Sequence, residues 1–338
     1  MLKPAYEIVI LTKPHRLDFM RTIAPDFKRV ETPYKEFTFG EQLGFKKQIE
    51  SLKPDLVHFA MVQQPVQFDG RVVTTMHDLT TLRFKNPSKN PVVYAIKQTV
   101  YKWVNKQALY KSRKIIAISN YTKKDLLDLA HVKPEKIRVI YESADKITEP
   151  AQAIKSLEGK KFIMYIGRPT PHKNLGFLIN AFKELQAEDP DLFLVLAGKK
   201  DIHYENHAKR VAEEGIKNVI FTGFVSDAEL KWLYQHTACY VFPSLAEGFG
   251  LPGLEAMIHG APVASSNATC LPEIYGDAAQ YFDPTDLSGG VGAIHDVLYN
   301  KNLAKTLVEK GFKQVSNYSW QQTARETLEV YAEALSSK

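Results

Sequence analysis

From residue 161 onward, short runs rich in β-branched and aromatic residues alternate with segments whose apolar residues recur at helical spacing. The runs fall at 162–167, 192–198, 219–223, 239–243, 262–265 and 280–283. Between the first two, Leu175, Leu178, Ile179, Phe182 and Leu185 form one stripe and predict a helix over 174–185. Such alternation specifies a parallel sheet covered by helices on both faces. The first half repeats the pattern less regularly, with strands expected at 6–11, 55–60, 71–76, 114–118 and 137–141 and helices at 41–52, 91–111 and 120–129. The fold class is therefore α/β, with two doubly wound, Rossmann-like domains at 1–148 and 149–318, divided where Thr148, Glu149 and Pro150 break the pattern. A last helical pattern, within 319–338 and starting at Trp320, has no strand after it and is expected to pack back toward the first domain. Open parallel sheets bind ligands beyond the carboxyl ends of their strands, so the cleft between the domains is the expected site.

Composition excludes several classes. Apolar residues make up 44% of the 338 and charged residues 24%, which disfavours disordered and coiled-coil chains. The first apolar run, Tyr6 to Leu11, is too short for a signal peptide, and no run approaches the ~20 residues that span a bilayer, so a cytoplasmic location is expected. Cys239 and Cys270 lack metal-ligand spacing and read as buried, reduced thiols. Charge is uneven: residues 1–145 hold 25 Lys and Arg against 15 Asp and Glu, and the remainder 19 against 23. The basic half suggests an anionic acceptor or peripheral contact with the inner membrane face, while no nucleic-acid-binding module accompanies it.

Three segments carry candidate chemistry. Glu247-Gly-Phe-Gly-Leu-Pro-Gly-Leu-Glu255 follows a strand and opens a helix near Pro252. Free N–H groups at a helix start favour an anion, and Gly248 and Gly250 allow backbone to approach a ligand. Glu247 can accept hydrogen bonds from neighbouring sugar hydroxyls, and Glu255 can reach a ribose diol. Gly167-Arg168-Pro-Thr-Pro-His-Lys173-Asn174 joins a strand to a helix and offers a planar fork and a mobile point charge for a diphosphate. Met76-His77-Asp78-Leu79 ends a strand in the first half, where His77 can bond a sugar hydroxyl or steady charge at a reacting carbon. Each has a plainer reading: Glu255 complementing a helix dipole, a basic surface loop, a structural histidine.

Together these segments resemble the GT-B glycosyltransferases of family 4, a retaining family that uses nucleotide sugars. The resemblance covers nearly the whole second half, including Thr222-Gly-Phe-Val-Ser-Asp227, Phe242-Pro-Ser-Leu-Ala-Glu-Gly-Phe-Gly-Leu-Pro252 and Leu271-Pro-Glu-Ile274. In the first half it rests on His77-Asp-Leu-Thr80 and Ile118-Ser119-Asn-Tyr-Thr122. It implies that Arg168 and Lys173 hold the donor diphosphate, that Glu247 binds the transferred sugar and that Glu255 binds the ribose. It further implies that the amides of Phe249, Gly250 and Leu251 meet phosphate or sugar and that Val225 and Lys199 line the base pocket. His77 would contact the donor sugar from the opposite domain, with Ser119 among the binding residues. No metal or other cofactor is expected, since cationic side chains meet the charge growing on the leaving diphosphate. Retention is implied by the family, and with no protein nucleophile in these motifs a front-face reaction is expected.

The chain departs from the family in two places. Residues 12–39 hold no glycine where a Gly-rich loop is usual, leaving His15 and Arg16 as candidates for an anionic acceptor, and Glu142-Ser-Ala-Asp145 replaces a frequent Asn-Gly-Val-Asp. His203 and His207 have zinc-like spacing but sit in a polar stretch that reads as a solvated helix face. Tyr94, Tyr101, Trp103 and Tyr110 alternate with lysines in one helical segment, either packed on its own sheet or docked on anionic lipid. The expectation is a retaining hexosyltransferase, with GDP-mannose favoured over UDP-glucose or UDP-N-acetylglucosamine and a lipid-linked or polysaccharide acceptor. Its rivals are an idle sugar-nucleotide-binding protein, disfavoured by the intact charged set, and a nicotinamide-dependent oxidoreductase, disfavoured by the absence of G-x-G-x-x-G.

Overall fold

The computed structural model describes residues 6–35, 38–84 and 91–336. In the first half, β1 (Val9–Thr12) and β2 (Lys28–Glu31) form a two-stranded parallel pair. Beside it, β3 (Val57–Phe59), β4 (Val72–Met76), β5 (Lys114–Ala117) and β6 (Ile137–Val139) form a four-stranded parallel sheet in that order. β2 was not anticipated, because Lys28-Arg-Val-Glu31 carries no run of apolar residues and gains its order from pairing with β1.

The second half is a six-stranded parallel sheet. β7 (Phe162–Ile166), β8 (Phe193–Ala197), β9 (Val219–Gly223), β10 (Cys239–Phe242), β11 (Val263–Ser266) and β12 (Ala279–Phe282) lie in the order β12-β11-β10-β7-β8-β9. This is a doubly wound order, and it reverses direction between β7 and β10, where such sheets leave a crevice at their carboxyl ends. Phe162, Ile163, Met164 and Tyr165 of β7 are all fully buried, as expected of a strand covered on both faces. The helix Leu175–Glu188 buries the stripe foreseen from its periodicity, and the stacked rings of Phe177 and Phe282 join it to β12.

The helix Trp320–Ser336 returns to the first sheet. Val330 and Ala334 are buried against Val73, Ile116 and Ile140, and Arg138 holds Glu329 and Glu333 at 2.5 and 3.1 Å. His58 of β3 sits beneath it, with Nδ1 2.6 Å from the Tyr331 hydroxyl and Nε2 2.8 Å from Thr75 Oγ1. Burial and the nearby His77 lower the His58 pKa to about 4, so the ring is neutral at physiological pH. Among the described residues, no helix is long and apolar enough to cross a membrane.

Candidate active site

The two loops that flank the switch point are zipped together. After β7, residues 171–173 make one 3-10 turn, and Asn174 takes a left-handed conformation with φ of 59°. From there its side-chain amide donates to the Pro243 and Pro284 carbonyls, while Leu245 N–H donates to the His172 carbonyl at 2.7 Å. This fixes Lys173 beside the loop that follows β10. Its ammonium donates to both oxygens of Glu247, at 2.7 and 2.9 Å, with side-chain exposures of only 19% and 11%. The Glu247 N–H is held by Thr269 Oγ1 at 3.0 Å, so backbone as well as side chain is positioned.

Gly250 has φ of +102° and caps the helix Leu251–Ile258, and the Tyr275 hydroxyl donates to its carbonyl at 2.5 Å. That conformation favours glycine, and a Cβ would lie 2.5 Å from the same hydroxyl. Four residues beyond the helix start, Glu255 is largely enclosed and accepts from the Tyr234 hydroxyl at 3.2 Å. Its pKa is raised, chiefly by burial, with the Tyr234 bond pulling the other way. Leu251 is half-buried at the helix start, and the buried Phe249 side chain packs against Tyr141 and Tyr318.

Arg168, Lys199 and Val225 stand just beyond the carboxyl ends of β7, β8 and β9 respectively. Arg168 does not join the Lys173–Glu247 pair. Its Nε donates to Asp201 Oδ2 at 3.1 Å and the side chain remains 74% exposed. Asp201 also caps the helix Ile202–Glu213 through the His203 and Tyr204 amides. Lys199 is exposed and Val225 half-buried. On that helix, burial lowers the His207 pKa, and among the described residues no group of three His, Cys, Asp or Glu is placed to hold a metal ion.

The first half meets this crevice through the carboxyl ends of its own strands. His77, after β4, has Nδ1 3.1 Å from Glu142 and Nε2 2.9 Å from the Ala60 carbonyl oxygen, and its pKa is raised, first by the Glu142 hydrogen bond. Gly248 lies so close that a Cβ there would fall 1.9 Å from the His77 carbonyl oxygen. Ser119 is wholly buried. Its hydroxyl accepts from Thr122 N–H and donates to the Gly248 carbonyl at 2.8 Å, so it caps a helix and joins the two halves rather than facing open space. His15 and Arg16 form part of a short turn before the helix Leu17–Ile23.

A second joint was not read from sequence. The Glu273 carboxylate accepts from the Asn120 N–H and amide, the Tyr121 N–H and the Tyr141 hydroxyl at 2.7–3.0 Å. It thereby fills the start of the helix Asn120–Leu129 from the opposite half, where a carboxylate also complements the helix dipole. Glu273 lies within the Leu271-Pro-Glu-Ile274 motif, but its role is visible only through partners about 150 positions away. Glu142, Asp201, Thr269 and Tyr234 were likewise missed; of these, Asp201 alone carries a local signal, a capping residue at a helix start.

Two Rossmann-like domains whose strand ends face each other, with a lysine–glutamate pair at the switch point beside a glycine-capped helix, define a GT-B glycosyltransferase. Comparison with known proteins agrees. The family described as Glycosyl transferases group 1 matches residues 146–314, and Glycosyltransferase Family 4 matches residues 5–146. The chain belongs to the family 4 glycosyltransferases of GT-B fold. It is 28% identical over 274 residues to O-antigen chain mannosyltransferase B of Escherichia coli, covering 77% of this chain and 70% of that protein. It is 32% identical over 249 residues to the serotype-specific mannosyltransferase WbdA of Escherichia coli, covering 70% of this chain but only 31% of WbdA. The fold matches sucrose-phosphate synthase from Thermosynechococcus elongatus with a TM-score of 0.76 at 18% identity, over 93% of this chain and 85% of that one. It matches HepE from Anabaena, solved with UDP and glucose, with a TM-score of 0.73 at 16% identity, over 96% and 99%.

Proposed function

We propose that the protein transfers mannose from GDP-mannose, with retention, to a hydroxyl of a lipid-linked or polysaccharide acceptor. The observation that carries the reading is the Lys173–Glu247 pair, enclosed and hydrogen-bonded at the sheet's switch point. In this reading Lys173 meets the departing diphosphate, and Arg168 swings from Asp201 to join it; its exposure leaves it free to turn. Glu247 accepts from hydroxyls of the transferred sugar, Glu255 from the ribose, and the amides of Phe249, Gly250 and Leu251 face phosphate or sugar. Lys199 and Val225 flank the base.

As the bond between sugar and phosphate breaks, negative charge grows on the diphosphate and positive charge on the ring. Fixed cations and amides aimed at that charge are commonly the largest catalytic contribution, roughly 2.7–4 kcal/mol for one donor. Glu142 favours the protonated form of His77, which places a further cation-forming group across the crevice. A leaving phosphate oxygen takes the acceptor proton, so no side chain acts as base and no metal is needed in this scheme. Mannose is favoured by the His77-Asp-Leu-Thr80 sequence and by mannosyltransferases among the relatives. The boundaries 1–148, 149–318 and 319–338 are proposed with it as the functional division. A thermal-shift and nucleotide-release panel across GDP-, UDP- and ADP-sugars tests the reading. GDP-mannose should give the largest shift and release GDP, and stabilisation by a UDP-sugar alone would refute the choice of donor.

A further inference from the structure

The helix Pro91–Lys111 has two apolar faces: one packs on the first sheet, and the other is exposed among the described residues. Asn105, Ala108 and Leu109 are buried, and Tyr101 packs with them against the first sheet's core. On the opposite side Ile96, Val100, Trp103 and Tyr110 are between 48% and 60% exposed. At 3.6 residues per turn these four lie within about 80° of arc along the outer face, with Gln107 between Trp103 and Tyr110. Lys97 and Lys111 fall on one side of the stripe and Lys102 and Lys106 on the other. Apolar side chains including a tryptophan, rimmed by lysines, are what a helix lying in a bilayer interface presents.

A basic hollow continues the stripe at the helix's C-terminal end. Tyr110 lines both, and the hollow, about 600 Å³, is further lined by Arg113, Lys114, His131, Lys133 and Lys136, with Glu135 the only carboxylate. Lys136 donates to the Tyr110 carbonyl at 2.7 Å, so this end of the helix is tied to the hollow's wall. Lys114 is paired with Glu333 at 2.6 Å, and burial, with the neighbouring Arg113 second, lowers the Lys136 pKa. A hollow of this charge and size accommodates an anionic lipid headgroup beside the stripe.

We infer that the outer face of helix 91–111, with the basic hollow at its end, docks the enzyme on an anionic phospholipid surface. The helix's other end is tied to the crevice: the Tyr94 hydroxyl donates to the Phe84 carbonyl at 3.1 Å, Gln98 donates to the Thr81 carbonyl at 2.7 Å, and the Phe84 ring lies 5.7 Å from His172 of the opposite half. A bilayer along this face therefore lies beside the mouth of the site. The proposal deepens the reading of a lipid-linked acceptor and is tested apart from it.

The test is cosedimentation of the full chain with vesicles of phosphatidylcholine alone or mixed with phosphatidylglycerol. Binding should require phosphatidylglycerol and weaken as salt rises. Trp103→Glu and Ile96→Glu should each lower the bound fraction at least tenfold, and Lys102→Glu with Lys106→Glu should abolish the preference for anionic vesicles. Phe312→Ser, an exposed aromatic change in the other half, should leave binding unaltered. Circular dichroism melts confirm that the variants fold. Equal binding to both vesicle types, undiminished binding by Trp103→Glu, or a dimer that Trp103→Glu dissociates would each overturn the inference, the last by assigning the face to a second copy. GDP-mannose thermal shifts on the same proteins separate the two readings: retained donor shifts with lost vesicle binding isolate the docking face, and vesicle binding without any donor shift leaves docking standing while the donor assignment fails.

Discussion

Replacing Lys173 by methionine removes the cation from an enclosed pair while keeping most of its volume. Glu247 is then a carboxylate with 11% of its side chain exposed and two short hydrogen bonds lost. Breaking a buried pair by deleting one partner costs roughly 3–5 kcal/mol, and the residual exposure of both groups places this pair at the lower end, about 3 kcal/mol. For a domain of this size each kcal/mol moves the melting midpoint by about 2–4 °C, so a fall of roughly 6–12 °C is expected. Glu247→Gln alone should cost less, because a neutral amide still accepts from Lys173. The double variant, Lys173→Met with Glu247→Gln, contains no buried charge at this place and should recover most of the midpoint. Turnover should not follow: if Lys173 meets the leaving diphosphate, both variants containing Lys173→Met lose at least tenfold, in line with the ~2.7–4 kcal/mol carried by one preorganised donor. Differential scanning fluorimetry gives the midpoints and coupled nucleotide release the rates. Recovery of turnover together with stability in the double variant would show that the pair only holds the loops together, and the catalytic reasoning would fail.

Gly248→Ala places a methyl within 1.9 Å of the His77 carbonyl oxygen and must part the two halves locally; turnover should drop strongly with little change in far-ultraviolet circular dichroism, and unchanged turnover would deny that this contact sets the crevice. Glu273→Ala removes the acceptor of four interdomain hydrogen bonds and should raise the radius of gyration seen by small-angle scattering, an effect that Glu273→Gln should only partly reproduce. His58 has its pKa lowered to about 4, so its neutral form stabilises the fold fully above about pH 6.5 and that contribution is lost between pH 6.5 and 4. At about 1.4 kcal/mol per unit the loss approaches roughly 3 kcal/mol, and urea titrations should find it much reduced in His58→Asn. His77 shifts the other way, and its charged-form contribution is already complete below its ordinary value, so it does not mask this fall. Glu255 has its pKa raised by burial, so its stability contribution is complete below its ordinary value and declines as pH rises through the higher folded value. Glu255→Gln should therefore raise the melting midpoint at neutral pH while weakening nucleotide binding; a lower midpoint would contradict the assigned burial cost.

Most strands were legible because a parallel strand buried on both faces must be apolar throughout. Phe162–Ile166 and Val219–Gly223 appear where their composition puts them. β2 was not legible, since pairing with β1 orders a segment that is polar by composition. Helix 91–111 shows a different limit. Its extent is plain, but apolar residues occur on two sides, and only packing decides that Leu109 enters the core while Trp103 does not.

The glycine-rich stretch from Glu247 to Glu255, the basic loop ending at Lys173 and the alternation of elements are local patterns, set by backbone freedom, charge and periodicity, and so the chain alone carries them. Which charges meet is a matter of topology. Lys173 reaches Glu247 across 74 positions because β7 and β10 are neighbours at the switch point, and Arg168, only five residues earlier, turns instead to Asp201. Ser119 reads as a ligand-facing hydroxyl until the Gly248 carbonyl is brought against it, and Glu273 has no visible purpose until a helix start from the other half arrives. Electrostatic and hydrogen-bonding partners act over a few ångströms of space and are indifferent to distance along the chain, so tertiary packing alone selects them.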